Sequence, residues 1–431
     1  MGKKVFLMGL LFLLLAAPVF AEDTIYVSNA GDKTISIVST DSDKVVAKLS
    51  VGTKGSWPSN QWNQKYFAFN TKKGVDILSV TGNVVSSLDL KSKKNWQDFT
   101  PDGKLLVTAS RDVDISYFID MDESSETFGQ VIAKVEWPKK FGICDMTISP
   151  DGKYAYIPGI FSDKFGVLDI QNKKILKIID IPRINKDTAV KPFMTTVTWD
   201  GKYVFMENAE GKGKGTESVI DVSDPANPKE VVRFVPKESL AAAKAALEPK
   251  GITVKEMMGL EPQSNEITLD NKYAFVIMRA SKSVGVVDIE KLEMIKEIPL
   301  TPGGKPRTGD LSPDGTKLYV SVPEKNVVDV IDVATLTKVK TIKGFKKPQG
   351  VIGVSLSAAN ALEELNALKK KQAEDFANLE GELQELEETL KGVKATAEAA
   401  KAEGKGVCGP TALLALAMLP LGAYRLYRRR K

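Results

Sequence analysis

The fold of this chain is decided by the stretch Ser149-Pro150-Asp151-Gly152-Lys153-Tyr154-Ala155-Tyr156-Ile157, which is followed by Val167-Leu168-Asp169. Its first half predicts a tight turn, because Pro and Asp favour turns and Gly supplies a positive φ. The runs after the turn, including Lys174 to Ile179, are rich in β-branched and aromatic residues that favour strands. The unit therefore predicts a four-stranded antiparallel meander.

The same turn recurs through residues 24–356. The equivalent turn residues are Asn63, in a degenerate copy, and Asp102, Asp151, Asp200, Asp270 and Asp314, which are 39, 49, 49, 70 and 44 residues apart. A period of 40–50 residues with four strands per unit predicts propeller blades. The longest gap predicts an insertion at about 237–260, in which Glu238 to Leu247 is expected to form a helix ended by Pro249.

The two ends of the repeat region predict how the ring closes. Thr24 to Val27 begins in the middle of a unit, with no innermost strand before it, whereas Gly350 to Ser355 is an innermost strand with no blade after it. Pairing the two would remove two sheet edges that otherwise promote aggregation. With the shared blade counted, the sequence predicts an all-β propeller of seven four-stranded antiparallel blades over residues 22–356.

This repeat region resembles the YVTN-type β-propeller family of archaeal surface-layer and bacterial periplasmic proteins. The resemblance is carried by the runs Ile25-Tyr26-Val27-Ser28-Asn29, Ser312-Pro313-Asp314-Gly315-Thr316-Lys317-Leu318-Tyr319-Val320-Ser321 and Lys347-Pro348-Gln349-Gly350-Val351. It implies the propeller fold. It implies little about activity, because propellers host many unrelated functions.

A helical stalk is predicted after the propeller, over residues 357–406. From Ala358 to Ala400 apolar residues follow an alternating 4,3 spacing, which is best between Leu379 and Val393. Two readings are open: the helix self-associates as a coiled coil, or it is a single charged spacer.

Both ends of the chain predict export to the cell surface. Residues 1–21 combine a basic start, an apolar run and a small-residue cleavage site ending at Ala21, as in a signal peptide. Residues 407–431 contain Cys408-Gly409-Pro410, an apolar run and a basic end, an order that keeps the preceding chain outside the membrane. The segment resembles the Cys-Gly-Pro sorting signal of surface proteins from hyperthermophilic euryarchaea. That resemblance implies cleavage, with Cys408 as the processed or lipid-modified anchor; a retained C-terminal membrane helix is the alternative.

The composition excludes several kinds of chemistry. The 431 residues include no histidine and two cysteines, and 60 basic residues against 55 acidic ones give a net charge of +5. Without histidine there is no Ser-His-Asp or Cys-His pair and no His-based metal site. Cys144 has apolar neighbours and is expected to be a small buried hydrophobe. No catalytic residue, metal or cofactor is expected.

A ligand site is predicted at one mouth of the central channel, where the segments leading into the innermost strands come together. Most of these segments carry a cation or an aromatic residue, which would form a basic, aromatic rim for an anionic polymer. The candidate residues are Trp57, Trp96, Lys140, Phe141, Lys191, Phe193, Lys305, Arg307 and Lys347. The alternative is that they are ordinary turn residues with solvated lysines.

The favoured function is that of a non-enzymatic binding or scaffold protein on the extracellular face of the membrane. Its expected partners are the membrane through the C-terminal anchor, an acidic glycan or another surface protein, and a second copy through the stalk. Nucleic acid is a further anionic polymer, although no motif supports it. One alternative is a hydrolase- or lactonase-like propeller enzyme, a class that often needs histidine or a ring of acidic metal ligands at the channel, whereas the inner segments here carry one acid, Glu261. The other alternative is a lipoprotein that captures a small ligand.

Overall fold

The structure is a computed structural model that describes residues 23–50, 65–79, 82–211 and 214–355, together with 384, 388, 389, 391 and 392. It contains 28 strands. In chain order these are β1 (Asp23–Asn29), β2 (Thr34–Ser39), β3 (Lys44–Ser50), β4 (Tyr66–Asn70), β5 (Val75–Ser79), β6 (Val84–Leu88), β7 (Asn95–Phe99), β8 (Leu105–Ser110), β9 (Ile115–Asp120), β10 (Val131–Glu136), β11 (Thr147–Ile148), β12 (Tyr154–Gly159), β13 (Lys164–Asp169), β14 (Lys174–Asp180), β15 (Pro192–Val197), β16 (Tyr203–Asn208), β17 (Thr216–Asp221), β18 (Lys229–Pro236), β19 (Thr253–Met257), β20 (Pro262–Ile267), β21 (Tyr273–Met278), β22 (Ser283–Asp288), β23 (Glu293–Pro299), β24 (Gly309–Leu311), β25 (Lys317–Val322), β26 (Val327–Asp332), β27 (Thr337–Lys343) and β28 (Pro348–Ser355).

The strands form seven sheets, which are the blades of a propeller. Blade 1 has the order β28-β1-β2-β3, and blades 3, 4, 6 and 7 are the successive antiparallel meanders β7–β10, β11–β14, β20–β23 and β24–β27. Blade 2 contains β4–β6, and its expected innermost strand falls in 51–64, outside the described residues. Blade 5 contains β15–β18 and a fifth strand, β19. The predicted seven-bladed, four-stranded architecture is confirmed.

Ring closure is confirmed as well. Strand β28 from the end of the repeat region pairs antiparallel with β1 from its start, with Thr24 opposite Val354 and Val27 opposite Val351. The Thr24 hydroxyl donates to the Val354 carbonyl at 3.1 Å, which ties the two segments together across 330 residues. Blade 1 is therefore complete only when both ends of the propeller are folded.

The repeated turn is stabilised by a hydroxyl two residues before its Asp. In the turn of blade 4, Ser149 Oγ donates to Asp151 Oδ1 at 2.6 Å and accepts from the Tyr154 backbone nitrogen at 3.0 Å. Gly152 between them has φ 74°, which favours glycine. The other turns repeat this bond through the pairs Thr100–Asp102, Thr198–Asp200, Thr268–Asp270 and Ser312–Asp314.

The hydrophobic core lies between blades. Each of the seven junctions has its own cluster of buried apolar side chains; Phe118 of blade 3, for example, shares a cluster with Ile157 of blade 4. A bulge recurs between the third and fourth strands of blades 1, 2, 4, 5, 6 and 7, and bulges increase strand twist. The repeat thus supplies both the contacts and the twist that stack neighbouring blades.

The insertion in blade 5 folds against its own blade. Helix α1 (Leu240–Leu247) is flanked by 3₁₀ turns at Lys237–Ser239 and Glu248–Lys250, and β19 then pairs parallel with β18. Ala243 and Leu247 of α1 pack in a small apolar cluster with Val235. The expected helix is present and begins two residues later than the sequence predicted, because Lys237–Ser239 forms a 3₁₀ turn.

The predicted stalk and both terminal signals lie almost wholly outside the described residues. Residues 384, 388, 389, 391 and 392 are helical but too few to test a coiled coil. Ala21, Cys408 and the segment 407–431 are not among the described positions. Within the described part of the chain, no helix has the length and apolar character needed to cross a bilayer.

Candidate functional site

The innermost strands line a central channel with two different mouths. Neighbouring inner strands are adjacent around the ring, through the pairs β7–β11, β11–β15, β15–β20, β20–β24 and β24–β28. We call the end where these strands begin the upper mouth, and the end where they run into the Asp turns the lower mouth. At the upper mouth the entering segments of blades 1, 3, 4, 5 and 6 are each bonded to the loop between the second and third strands of their blade; Ala209 N donates to Lys191 O at 3.0 Å, for example.

Lysines recur at one position of the upper mouth. Lys191, Lys347 and Glu261 each immediately precede the proline that starts an inner strand, and Lys140 precedes Phe141. All four have a left-handed backbone, with φ between 51° and 63°. The three lysines are exposed, as is Lys305, so four predicted rim cations are available to solvent.

Arg279, which the sequence analysis did not single out, and the predicted rim residue Arg307 extend this basic character. Arg279 Nη1 lies 3.1 Å from Glu261 Oε1, so the acid of the entering segments is already paired. Arg307 Nη1 donates to Gln263 Oε1 at 3.4 Å. Burial, and next the Arg279 charge, lower the pKa of Arg307.

Trp96 forms a second basic group with Arg111. The Arg111 guanidinium carbon lies 4.6 Å from the Trp96 ring centroid, and its Nη1 lies 3.1 Å from Cys144 Sγ. Cys144 is fully buried, and burial raises the pKa of its thiol to about 12. The thiol is therefore protonated at neutral pH and serves as packing, in agreement with its apolar flanks.

The aromatic candidates Phe141, Phe193 and Trp57 differ in what the structure shows of them. Phe141 is 1% exposed and packs against Trp137 with ring centroids 4.8 Å apart, so it belongs to the core and cannot contact a ligand. Phe193 is half-buried on β15, and Trp57 lies outside the described residues. Among the described residues, the upper mouth exposes the side chain of Phe161, at 66%, whose backbone nitrogen donates to the Phe141 carbonyl.

Carboxylates on the upper loops are occupied by internal bonds. Asp114 Oδ1 accepts from the backbone nitrogens of Gly142 and Ile143 at 2.7 and 3.2 Å. Asp163 is paired with Arg183 at 2.7 Å and also accepts from the Lys191 nitrogen at 3.0 Å. These acids hold the entering segments in place and neutralise little of the exposed lysine charge.

The interior of the channel is acidic, which the sequence analysis missed. Asp98, Glu266 and Asp310 lie on inner strands, and Asp145 precedes β11. A sequence signal exists: the three strand acids each stand four residues before the turn Asp of their blade, where Thr147 and Thr196 stand in blades 4 and 5.

Burial in the protein raises the pKa values of these carboxyl groups above their ordinary range. Burial raises the pKa of Asp98 and of Asp145 to about 7 and that of Asp310 to about 6. Burial, together with the Asp310, Glu207 and Asp145 charges, raises the pKa of Glu266. The channel wall therefore carries acids that exchange protons near neutral pH.

The acidic wall opens into a cavity of about 400 Å³ at the lower mouth. Asp98, Glu266 and Asp310 line it together with Trp199 and apolar residues such as Leu269. Ser355 also lines it, so the chain leaves the propeller beside this cavity. The size suits a small polar ligand with apolar parts.

No cluster of three or more His, Cys, Asp or Glu side chains placed to hold a metal is present among the described residues. In the acidic motifs near blade 3, Asp112 accepts from the Lys93 nitrogen, Asp122 pairs with Lys104 at 2.8 Å, and Glu123 pairs with Lys65 at 3.2 Å. These groups therefore serve the local structure.

Comparisons with known proteins agree on the fold alone. No family model matches the chain, and no curated protein matches it. A solved protein of unknown function from Desulfotomaculum acetoxidans is 16% identical, with a TM-score of 0.59, over 77% of this chain and 99% of that one. The periplasmic gluconolactonase of Pseudomonas aeruginosa is 14% identical, with a TM-score of 0.57, over 77% and 99%. Kuenenia stuttgartiensis hydrazine synthase is 16% identical, with a TM-score of 0.55, over 72% and 92%.

Proposed function

We propose that this chain is an exported, membrane-anchored propeller that binds an anionic polymer, such as an acidic glycan, or an acidic surface protein at the upper mouth. The observation that carries the proposal is the excess of cations there. Lys140, Lys191 and Lys347 are exposed at repeated positions, and Arg279 and Arg307 lie close together beside one carboxylate, Glu261. The export signals at the two ends support the location.

The chemistry of the rim favours carboxylate, sulfate or phosphate groups. Guanidinium groups bind such anions through two parallel hydrogen bonds, and exposed lysines add long-range attraction. An extended polymer suits several cations distributed around a ring better than one small anion does. Phe161, exposed beside Lys140, offers an apolar surface for a sugar or peptide.

The test is binding of residues 22–356 to an immobilised uronate or sulfated polysaccharide at increasing salt. Affinity should fall as salt rises, because each neutralised charge releases counterions. Replacing Lys140, Lys191, Lys305, Arg307 and Lys347 with Gln should abolish binding. The matched control changes the exposed outer-strand residues Lys44, Lys174, Lys177, Lys229 and Lys343 to Gln and should retain it. Equal loss from both sets would mean diffuse attraction, and no binding at low salt would overturn the proposal.

A second candidate function is hydrolysis at the lower mouth, because carboxyl groups with raised pKa are suited to general acid–base work. Asp98, Glu266 and Asp310 line one cavity and provide groups that are partly protonated near neutrality. Purified protein should then hydrolyse small lactones or esters, and Glu266→Gln should remove the activity without unfolding the chain. Absence of turnover across such substrates would leave the binding function alone.

A further inference from the structure

A pair of buried carboxyl groups lies between blades 5 and 6. Glu207 on β16 is directly opposite Glu217 on β17, so the two side chains point to the same face of blade 5. Both residues are fully buried. Two neighbouring carboxylates without water or counter-ions are costly, so this arrangement requires an explanation.

Blade 6 supplies a third oxygen-bearing side chain. Asn265 on β20 is 2% exposed, and its Nδ2 donates to Glu217 Oε1 at 2.8 Å. Its backbone carbonyl accepts from Thr196 Oγ1 of blade 5 at 3.0 Å, which fixes Asn265 across the junction. The amide is therefore aimed at the carboxyl pair from the opposite blade.

Four buried oxygens of this group have no hydrogen-bond partner among the residues that the structure describes. They are Glu207 Oε1, Glu207 Oε2, Glu217 Oε2 and Asn265 Oδ1. A single proton shared between the carboxyl groups would satisfy two of them and leave the amide oxygen unsatisfied. A hard cation that takes six to eight oxygen ligands can satisfy all four.

The charged groups around the carboxyl pair also favour a bound cation. Blade 5 buries the guanidinium of Arg233, which already pairs with Glu230 at 2.5 Å and Glu210 at 3.4 Å. Arg233 is directly opposite Ser218 in the ladder, so its side chain lies on the other face of blade 5 from Glu217. Within the described residues, neither Glu207 nor Glu217 forms an ion pair.

From this geometry we propose that Glu207, Glu217 and Asn265 form a binding site for a calcium ion that joins blades 5 and 6. The ligands are all oxygens, which Ca²⁺ prefers. Mg²⁺ fits less well, because it retains several waters and needs near-ideal octahedral geometry. The site has two carboxyl groups and an amide, so it differs from a cluster of three acidic or histidine ligands.

The test uses the full chain in detergent, stripped with a chelator and then titrated with CaCl₂ alone. Calorimetry should show one Ca²⁺ bound per chain, and millimolar Ca²⁺ should raise the unfolding temperature. Glu207→Gln should weaken binding at least about tenfold, since affinity follows the charge of the ligands. Asp122→Asn, in the exposed acidic loop of blade 3, is the matched control and should bind Ca²⁺ as the parent does.

Two outcomes would overturn the calcium site. If the stripped parent chain binds no Ca²⁺, the carboxyl pair holds protons instead. If Ca²⁺ binds equally well to the Glu207→Gln chain, the ion lies elsewhere. The first outcome is measured on the parent chain alone, so it tests the proposal even if a variant fails to fold. Asn265→Asp keeps an oxygen at the site and should retain Ca²⁺ binding.

Discussion

Asp310 Oδ2 accepts a hydrogen bond from the backbone nitrogen of Gly353, 2.9 Å away in the next blade. The bond joins the inner strand of blade 7 to β28, the strand that closes the ring. Asp98 bonds the nitrogen of Ile148 at 3.3 Å, and Asp145 bonds that of Thr195 at 2.8 Å, in the same way. The channel acids therefore connect successive blades as well as giving the channel its charge.

These acids predict a falling stability between pH 4 and 7. The pKa values of Asp98 and Asp145 are raised to about 7, and that of Asp310 to about 6, from about 3.9 in the unfolded chain. The folded state then binds more protons than the unfolded state in this range. The free energy of unfolding should decrease as pH rises, by at most about 1.4 kcal/mol per pH unit for each group. Denaturant titrations at pH 5 and pH 8 measure it.

Because the chain has no histidine, no side chain with an ordinary pKa changes its charge mainly between pH 5 and 8. Asp310→Asn should reduce the pH dependence. Asp122→Asn should leave it unchanged, since ion pairing and hydrogen bonds with Lys104 and Ser124 lower the pKa of Asp122 below the window. Stability that rises between pH 5 and 8 would contradict the assignment.

Ring closure predicts that the stability of the propeller is unusually sensitive to substitution of Gly353. A Cβ added there would overlap the backbone carbonyl oxygen of Leu311 in blade 7, and backbone cannot move aside as a side chain can. Gly353→Ala should destabilise the propeller by about 1–3 kcal/mol, the usual cost of overpacking. Chemical denaturation measures the loss, with exposed Lys343→Ala as the control. An unchanged midpoint would show that blades 7 and 1 are packed more loosely than described here.

The C-terminal segment predicts a processed anchor. Native protein should fractionate with membranes, and mass spectrometry should detect no peptide beyond Cys408. Cys408→Ser should release the protein into the medium if the thiol carries the anchor. Recovery of the intact peptide from Arg428 to Lys431 in mature protein would instead support a retained membrane helix.

The stalk predicts a helical fragment. A peptide of residues 357–403 should be helical by circular dichroism, and its helicity should rise with concentration if it forms a coiled coil. Leu383→Pro should disrupt it, because proline costs about 3 kcal/mol inside a helix. Helicity that does not depend on concentration, in a monomer, would leave the single-helix spacer.

The sequence by itself determined the number of blades, the turns and the closure. These follow from local rules: Asp151 and Gly152 dictate a turn wherever they recur, and the unmatched strands at Thr24 and Gly350 have no other edge to pair with. It also predicted that the lysines lie at one mouth, because each of them stands in a short stretch directly before an inner strand.

Tertiary structure alone decided which side chains the site can use. Phe141 and Phe161 are both aromatic residues near the upper mouth, but packing against Trp137 buries the first and leaves the second exposed. Asp98, Glu266 and Asp310 are far apart in the chain and share one cavity only after the ring closes. Glu207 and Asn265 are brought to one junction by the stacking of two blades. Burial and proximity between blades depend on contacts across the whole ring, which no single repeat encodes.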